Sequence, residues 1–182
     1  PSGKLPFSFP AKLTDCGAHA FDELSYPGDS IKQEYKEDIL VGYRWHDTKE
    51  IPALFPFGHG LSYTTFTYGK PVASAKAMAA DGTLTVTVAV KNTGSIAGKE
   101  IVQLYVGDDK CSVLRPVKEL KHFAKVGLAP GEEKSVTFTL TPDDLKFYDE
   151  ASAAWKYEPG KFKAYVCASS ADVRGIVSFE MQ

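Results

Sequence analysis

Among 182 residues there is a single asparagine, Asn92. Thr-Gly follows it, so the chain carries no N-glycosylation sequon, which leans towards a bacterial rather than a secreted fungal or animal source. Cysteine is almost as scarce. Cys16, Cys111 and Cys167 lie too far apart and too irregularly for a disulfide framework, leaving either one bridge or three free thiols. No apolar run approaches the roughly 18–20 residues of a membrane span, so no membrane partner is expected. Charge of one sign is lacking too: the formal net charge is -2, and Lys and Arg are interspersed with acids. That balance excludes a basic stripe for nucleic acid or anionic lipid. The opening Pro1-Ser-Gly-Lys-Leu-Pro-Phe-Ser-Phe-Pro lacks the charged and apolar regions of a signal peptide and has no initiator Met. The chain therefore reads as a piece of a longer polypeptide.

What is present is an average soluble composition, 43% hydrophobic and 24% charged, with one stretch out of the ordinary. Leu54 to Phe66 reads Leu-Phe-Pro-Phe-Gly-His-Gly-Leu-Ser-Tyr-Thr-Thr-Phe. Pro56 rules out a helix here, and Gly58 and Gly60 allow a sharp turn or close backbone approach. Each aromatic buries roughly 150–250 Å² when it finds a partner surface. Phe55, Phe57, His59, Leu61, Tyr63 and Phe66 are accordingly expected to form a docking junction between an arm and a β-domain.

Before the junction, residues 4–9 alternate apolar and polar as one short strand. A turn is expected at Pro27-Gly28 within an otherwise irregular strap. Between Tyr35 and Asp47, alternation predicts a strand with Ile39, Val41, Tyr43 and Trp45 on one face and Leu40, Gly42, Arg44 and His46 on the other. In that strand Arg44 would pair with Asp38 or Asp47. After the junction the pattern is all-β. Thr83–Val90 places Leu84, Val86, Val88 and Val90 inward after a hairpin-type turn at Asp81-Gly82. Strands over Ile101–Val106, Lys118–Val126 and Lys134–Leu140 follow. Thr141-Pro142-Asp143-Asp144 signals one capped helical turn. Trp155–Tyr157 would begin a hairpin closed by Pro159-Gly160, before last strands at Lys161–Ala168 and Gly175–Phe179. About seven short strands so spaced predict an all-β immunoglobulin- or fibronectin type III-like sandwich.

Chemistry is sparsely signalled. Glycosidic hydrolysis needs two facing carboxyl groups, and Asp38, Asp47, Asp149 and Glu150 are candidates only as acids among aromatics. Cys16-Gly-Ala-His19 is half of a zinc site without a second pair, so no metal is expected. No Gly-x-Ser-x-Gly occurs, and Gly58-His59-Gly60 precedes a strand rather than a helix, so neither a nucleophile elbow nor a phosphate cradle is present. No cofactor is expected. Tyr43, Trp45, Tyr148 and Trp155 are weak candidates for stacking on sugar, against the simpler reading that they pack in the core or junction.

An ordered series of motifs resembles the C-terminal region of glycoside hydrolase family 3. It runs from Val41-Gly-Tyr-Arg-Trp-His-Asp47 through Leu54–Phe66, Val88-Ala-Val-Lys-Asn-Thr-Gly94 and Gly98-Lys-Glu-Ile-Val-Gln-Leu-Tyr-Val106. Arg115-Pro-Val-Lys-Glu-Leu-Lys121, Leu128-Ala-Pro-Gly-Glu132 and Phe147-Tyr-Asp149 complete it. The resemblance implies a β-glucosidase-like parent with a (β/α)8 barrel and an α/β-sandwich domain before this region. It implies that residues 1–30 end the α/β-sandwich domain, 31–66 form the connecting arm and junction, and 67–182 the fibronectin type III-like domain. The family's aspartate nucleophile and glutamate acid/base would lie before Pro1, since no residue here matches their motifs. No catalytic residue is carried over. The partners implied are the upstream domains, with carbohydrate bound through them. Without those domains, self-association of the isolated chain is expected.

Overall fold

The computed structural model describes residues 1–182. In the arm, strand β1 (Phe9–Pro10) pairs antiparallel with β2 (Ala53–Phe55), laying the first residues alongside the junction. Of the strand expected over residues 4–9, only Phe9 takes part. Leu5 and Ser8 instead bond to the backbone of Phe57, Gly58 and His59. The turn at Pro27-Gly28 is present, with Gly28 at φ +85 and its N–H on the Glu23 carbonyl.

The expected strand between Tyr35 and Asp47 is not formed; Tyr43–Thr48 is a six-residue helix, α1. Two backbone reversals account for this. Asp38 (φ 56) and Gly42 (φ 61) both sit in the left-handed region, which breaks the extended run twice before Tyr43. The helical turn then buries Trp45 and His46, and the indole N–H of Trp45 donates to the Asp15 carbonyl at 3.0 Å. Over so short a window, alternation and one helical turn place apolar residues almost identically. Arg44 reaches neither Asp38 nor Asp47. It pairs with Glu119, at 3.1 Å.

The β-domain follows from alternation that the packing honours. Strands β3 (Phe66–Tyr68), β4 (Val72–Ala73), β5 (Ala77–Met78), β6 (Leu84–Asn92), β7 (Gly98–Asp108), β8 (Glu119–Leu128) and β9 (Glu133–Leu140) come first. Then come β10 (Phe147–Asp149), β11 (Ala154–Lys156), β12 (Gly160–Ser169) and β13 (Asp172–Met181). One sheet runs β5-β13-β12-β7-β8; the other is built on β6, with β9 on one edge and β3 and β4 in succession along the other. Because β3 and β4 share that edge, they act as one strand interrupted by Gly69–Pro71. The two-residue β5 is a parallel addition to β13. Seven principal strands therefore make the sandwich.

Between the sheets lie Leu84, Val86, Val88 and Val90 of β6, Val136, Phe138 and Leu140 of β9, and Val102, Leu104 and Val106 of β7. From β12 and β13 come Phe162, Ala164, Val166, Phe179 and Met181. Each of these side chains except Ala164 contributes roughly 1.5–3 kcal/mol when fully buried. The turn at Thr141 is a 3-10 turn, Pro142–Leu145, with Asp144 accepting the Thr141 N–H at 2.8 Å.

Two turns do different work from that expected. Gly82 closes a turn on Ala79, but β5 and β6 belong to opposite sheets, so no hairpin results. Trp155 pairs backward with Tyr148 across β10 and β11, and Pro159-Gly160 merely leads into β12. The three thiols are free, and burial pushes that of Cys167 up to about 12.

Candidate docking seam

The junction faces two ways. Its inner row is fastened to the sandwich. Tyr43 lies between Phe57 and Tyr105, with ring centroids 4.9 and 5.6 Å away, and its hydroxyl accepts the Leu120 N–H at 2.8 Å. Beneath it Gln103, buried in the middle of β7, donates through Nε2 to the Gly58 and Ala168 carbonyls and accepts from the Tyr105 hydroxyl at 2.5 Å. Gly58 has φ +80, and a Cβ there would stand 2.4 Å from Gln103 Oε1. Only glycine fits that seat. The Ser170 N–H donates to the Phe57 carbonyl at 2.8 Å, tying the junction to the β12–β13 turn.

Three further anchors surround this one. Lys4 Nζ reaches Glu100 Oε1 at 2.9 Å and the Ala168 carbonyl at 3.0 Å, while the Tyr68 hydroxyl donates to the same Glu100 oxygen. Asn92, fully buried, donates to the Ile96 and Leu128 carbonyls and accepts from the Thr64 hydroxyl and the Gly94 N–H. Its hydrogen-bonding capacity is thereby used completely. Helix α1 is held by Lys118 on Asp47 at 2.7 Å, by the Val117 N–H on Thr48, and by Arg44 on Glu119. Burial lifts Asp47 above the usual carboxylate range even with Lys118 beside it. Burial also pushes Glu119 up, but Lys121, Arg115 and Arg44 outweigh it and hold the carboxyl below its ordinary value.

The outer row is open. Leu61 and Tyr63 are 73% and 80% exposed, and Leu54 and Phe55 also face outward. His59 is half-buried against Phe55, and Phe66 packs against the core. Leu13, Ile31, Tyr35 and Val41 continue the apolar exposure along the arm.

The other candidates divide similarly. Trp45 is buried and Tyr43 is enclosed by the inner row, so both follow the core or junction packing weighed against sugar stacking in the sequence. Tyr148 and Trp155 are exposed and meet edge to face at 5.7 Å. Beside Tyr148 a cleft of about 610 Å³ is lined by Asp38, Ile39, Val113, Leu114, Asp149 and Glu150, so three of the four candidate acids share one surface. Asp149 is held below its usual value by the Ser152 hydroxyl and Lys156. Asp47 lies elsewhere, paired with Lys118. Cys16 and His19 gather no further ligands, and the His19 ring packs on Tyr26 at 4.2 Å. Gln103, Asn92, Glu100 and Lys4 were not anticipated. A lone polar residue inside the apolar run Ile101–Val106 was the available signal for Gln103.

Comparison with known proteins places this geometry. A family profile described as "Fibronectin type III-like domain" matches residues 100–170. A β-glucosidase of Bacteroides ovatus is 67% identical over 180 residues, covering 99% of this chain and 24% of the relative. β-Glucosidase B of Emericella nidulans, a fungal relative, is 39% identical over 194 residues, covering 100% of this chain and 22% of the relative. The structure of DesR, a β-glucosidase from Streptomyces venezuelae in complex with D-glucose, superposes with a TM-score of 0.91 at 42% identity, over 100% of this chain and 23% of that one. The chain thus spans about a quarter of the length of the relatives it matches, and these include fungal as well as bacterial proteins. Residues 100–170 thus carry a fibronectin type III-like domain, and the chain as a whole is similar to a C-terminal portion of glycoside hydrolase family 3 β-glucosidases.

Proposed function

We propose that this chain is the non-catalytic C-terminal part of a retaining β-glucosidase-like enzyme and stabilises the catalytic domains that precede it. Residues 1–30 would complete the α/β-sandwich domain, 31–66 would bridge, and 67–182 would form the accessory domain. The observation that carries this reading is the two-sided junction. Its inner row spends its polar groups on the sandwich, whereas Leu54, Leu61, Tyr63 and one side of Phe55 present exposed apolar surface. Exposed apolar surface of this kind marks an interaction face. Hydrolysis of an aryl β-glucoside tests the division of labour. The full-length polypeptide is expected to turn over and the isolated chain not to. Turnover by the isolated chain that survives repurification overturns the reading.

A second reading rests on Tyr148 and Trp155, which the core and arm leave exposed beside the cleft at Asp38 and Glu150. Apolar faces of a sugar would stack there while hydroxyls donate to the carboxylates. Calorimetry with a β-linked oligosaccharide separates the two. Binding lost in Trp155→Ala supports the module, and no heat at millimolar ligand rejects it.

A further inference from the structure

Glu37 is the anomaly that the docking seam does not absorb. The residue is 9% exposed, and its Oε2 is enclosed without a hydrogen-bond partner. None of the chain's ion pairs includes it. A carboxylate taken out of water without a compensating donor is strongly unfavourable, and buried polar atoms left unpaired in native proteins are few.

No neighbouring donor reaches Oε2. Glu37 borders a cavity of about 200 Å³ whose walls include Cys16, Gly17, Leu40, Trp45 and His46. The indole N–H of Trp45 is committed to the Asp15 carbonyl, and His46 Nδ1 lies 2.9 Å from the Ile51 carbonyl. Gly17 closes the wall tightly: a Cβ there would meet Glu37 Cβ at 2.9 Å and the Trp45 ring at 3.2 Å. The pocket thus combines an unpaired carboxylate, an aromatic wall and open volume. That is the chemistry of a seat for a cation, since an ammonium or guanidinium bonds the carboxylate and gains from an adjacent ring.

We propose that Glu37 is the socket for a lysine or arginine side chain contributed by the preceding domains of the enzyme. The inference rests on the docking reading above and names one polar contact within it. An apolar seam alone fixes neither register nor orientation, and a single enclosed ion pair supplies both.

The sign of one substitution in two settings tests it. Glu37→Gln keeps the shape and removes the charge. In the 182-residue chain the substitution should raise the melting temperature by a few degrees, because an uncompensated charge is removed. In the full-length polypeptide it should lower the melting temperature, because the incoming cation is orphaned. A lower melting temperature in the isolated chain would show that the carboxylate is used internally and would overturn the proposal. So would an increase, or no change, in the full-length protein. Wild-type controls separate this failure from failure of the docking reading. If the sandwich melts in the wild-type full-length protein at the isolated chain's temperature, docking itself is wrong, and the proposal falls with it. If the wild type melts higher there and Glu37→Gln keeps that whole increment, only the role of Glu37 is wrong.

Discussion

Gly58 concentrates the logic of the seam in one residue. Its positive φ and the Gln103 amide above it leave no space for a side chain. Gly58→Ala combines backbone strain with overpacking, and is expected to cost about 2–4 kcal/mol. Urea denaturation of the isolated chain measures this directly, and a loss below about 1 kcal/mol would mean that Gln103 swings away freely. The glycine was conspicuous in the sequence, but its partner was not. Gln103 reads as one polar residue in a strand, and the Gly58 and Ala168 carbonyls it serves lie 45 and 65 residues away. Asn92 shows the same limit. Its scarcity was plain in the composition, while the fact that it links the junction, a turn and β8 emerged only once those carbonyls were brought together.

At the scale of elements, α1 is where sequence pattern and structure part. The sandwich strands were legible because the alternation runs the length of β6 and through Ser135–Leu140 of β9, with one buried face in each. The Tyr43–Thr48 segment is too short for periodicity to decide, and its conformation depends on Trp45 finding the Asp15 carbonyl thirty residues earlier. The helix ends in a Schellman-like turn. The Ile51 N–H reaches the His46 carbonyl at 2.9 Å, and Glu50 occupies the left-handed position with φ 55. Glycine is favoured there. Glu50→Gly is therefore expected to stabilise the chain by about 1 kcal/mol, visible as a higher urea midpoint with unchanged slope.

Glu119 fastens the same helix to the sheet through Arg44. Its folded pKa lies below the unfolded value of 4.5, so the carboxylate's contribution is present above pH 4.5 and is lost as pH falls through the folded value. Stability measured against pH should fall on that acid limb, and Glu119→Gln should make the limb shallower. An unchanged limb would remove Glu119 from the list of acids that stabilise the fold.

For the whole molecule, the sandwich holds itself together, and the arm is held only on its inner side. The outward aromatics explain why the chain should associate when separated from its neighbours. Light scattering across a concentration series is expected to show a rising mass, reduced by Leu61→Asp together with Tyr63→Asp. A constant monomer mass would contradict that expectation. That the junction packs at least partly on the sandwich was legible in its composition, since aromatics among glycine and proline have little use in a solvated loop. Which aromatics turn inward was not legible, because Phe57 and Tyr63 are both large aromatics of one loop and the surface each meets is set by the folded backbone. The most direct measurement is hydroxyl-radical footprinting of Leu54, Phe55, Leu61 and Tyr63 in the isolated chain and in the full-length polypeptide. Docking predicts strong labelling of all four in the isolated chain, diluted until light scattering shows monomer, and protection in the full-length protein, with Phe57 protected in both. Equal labelling of Leu61 and Tyr63 in the two would contradict it.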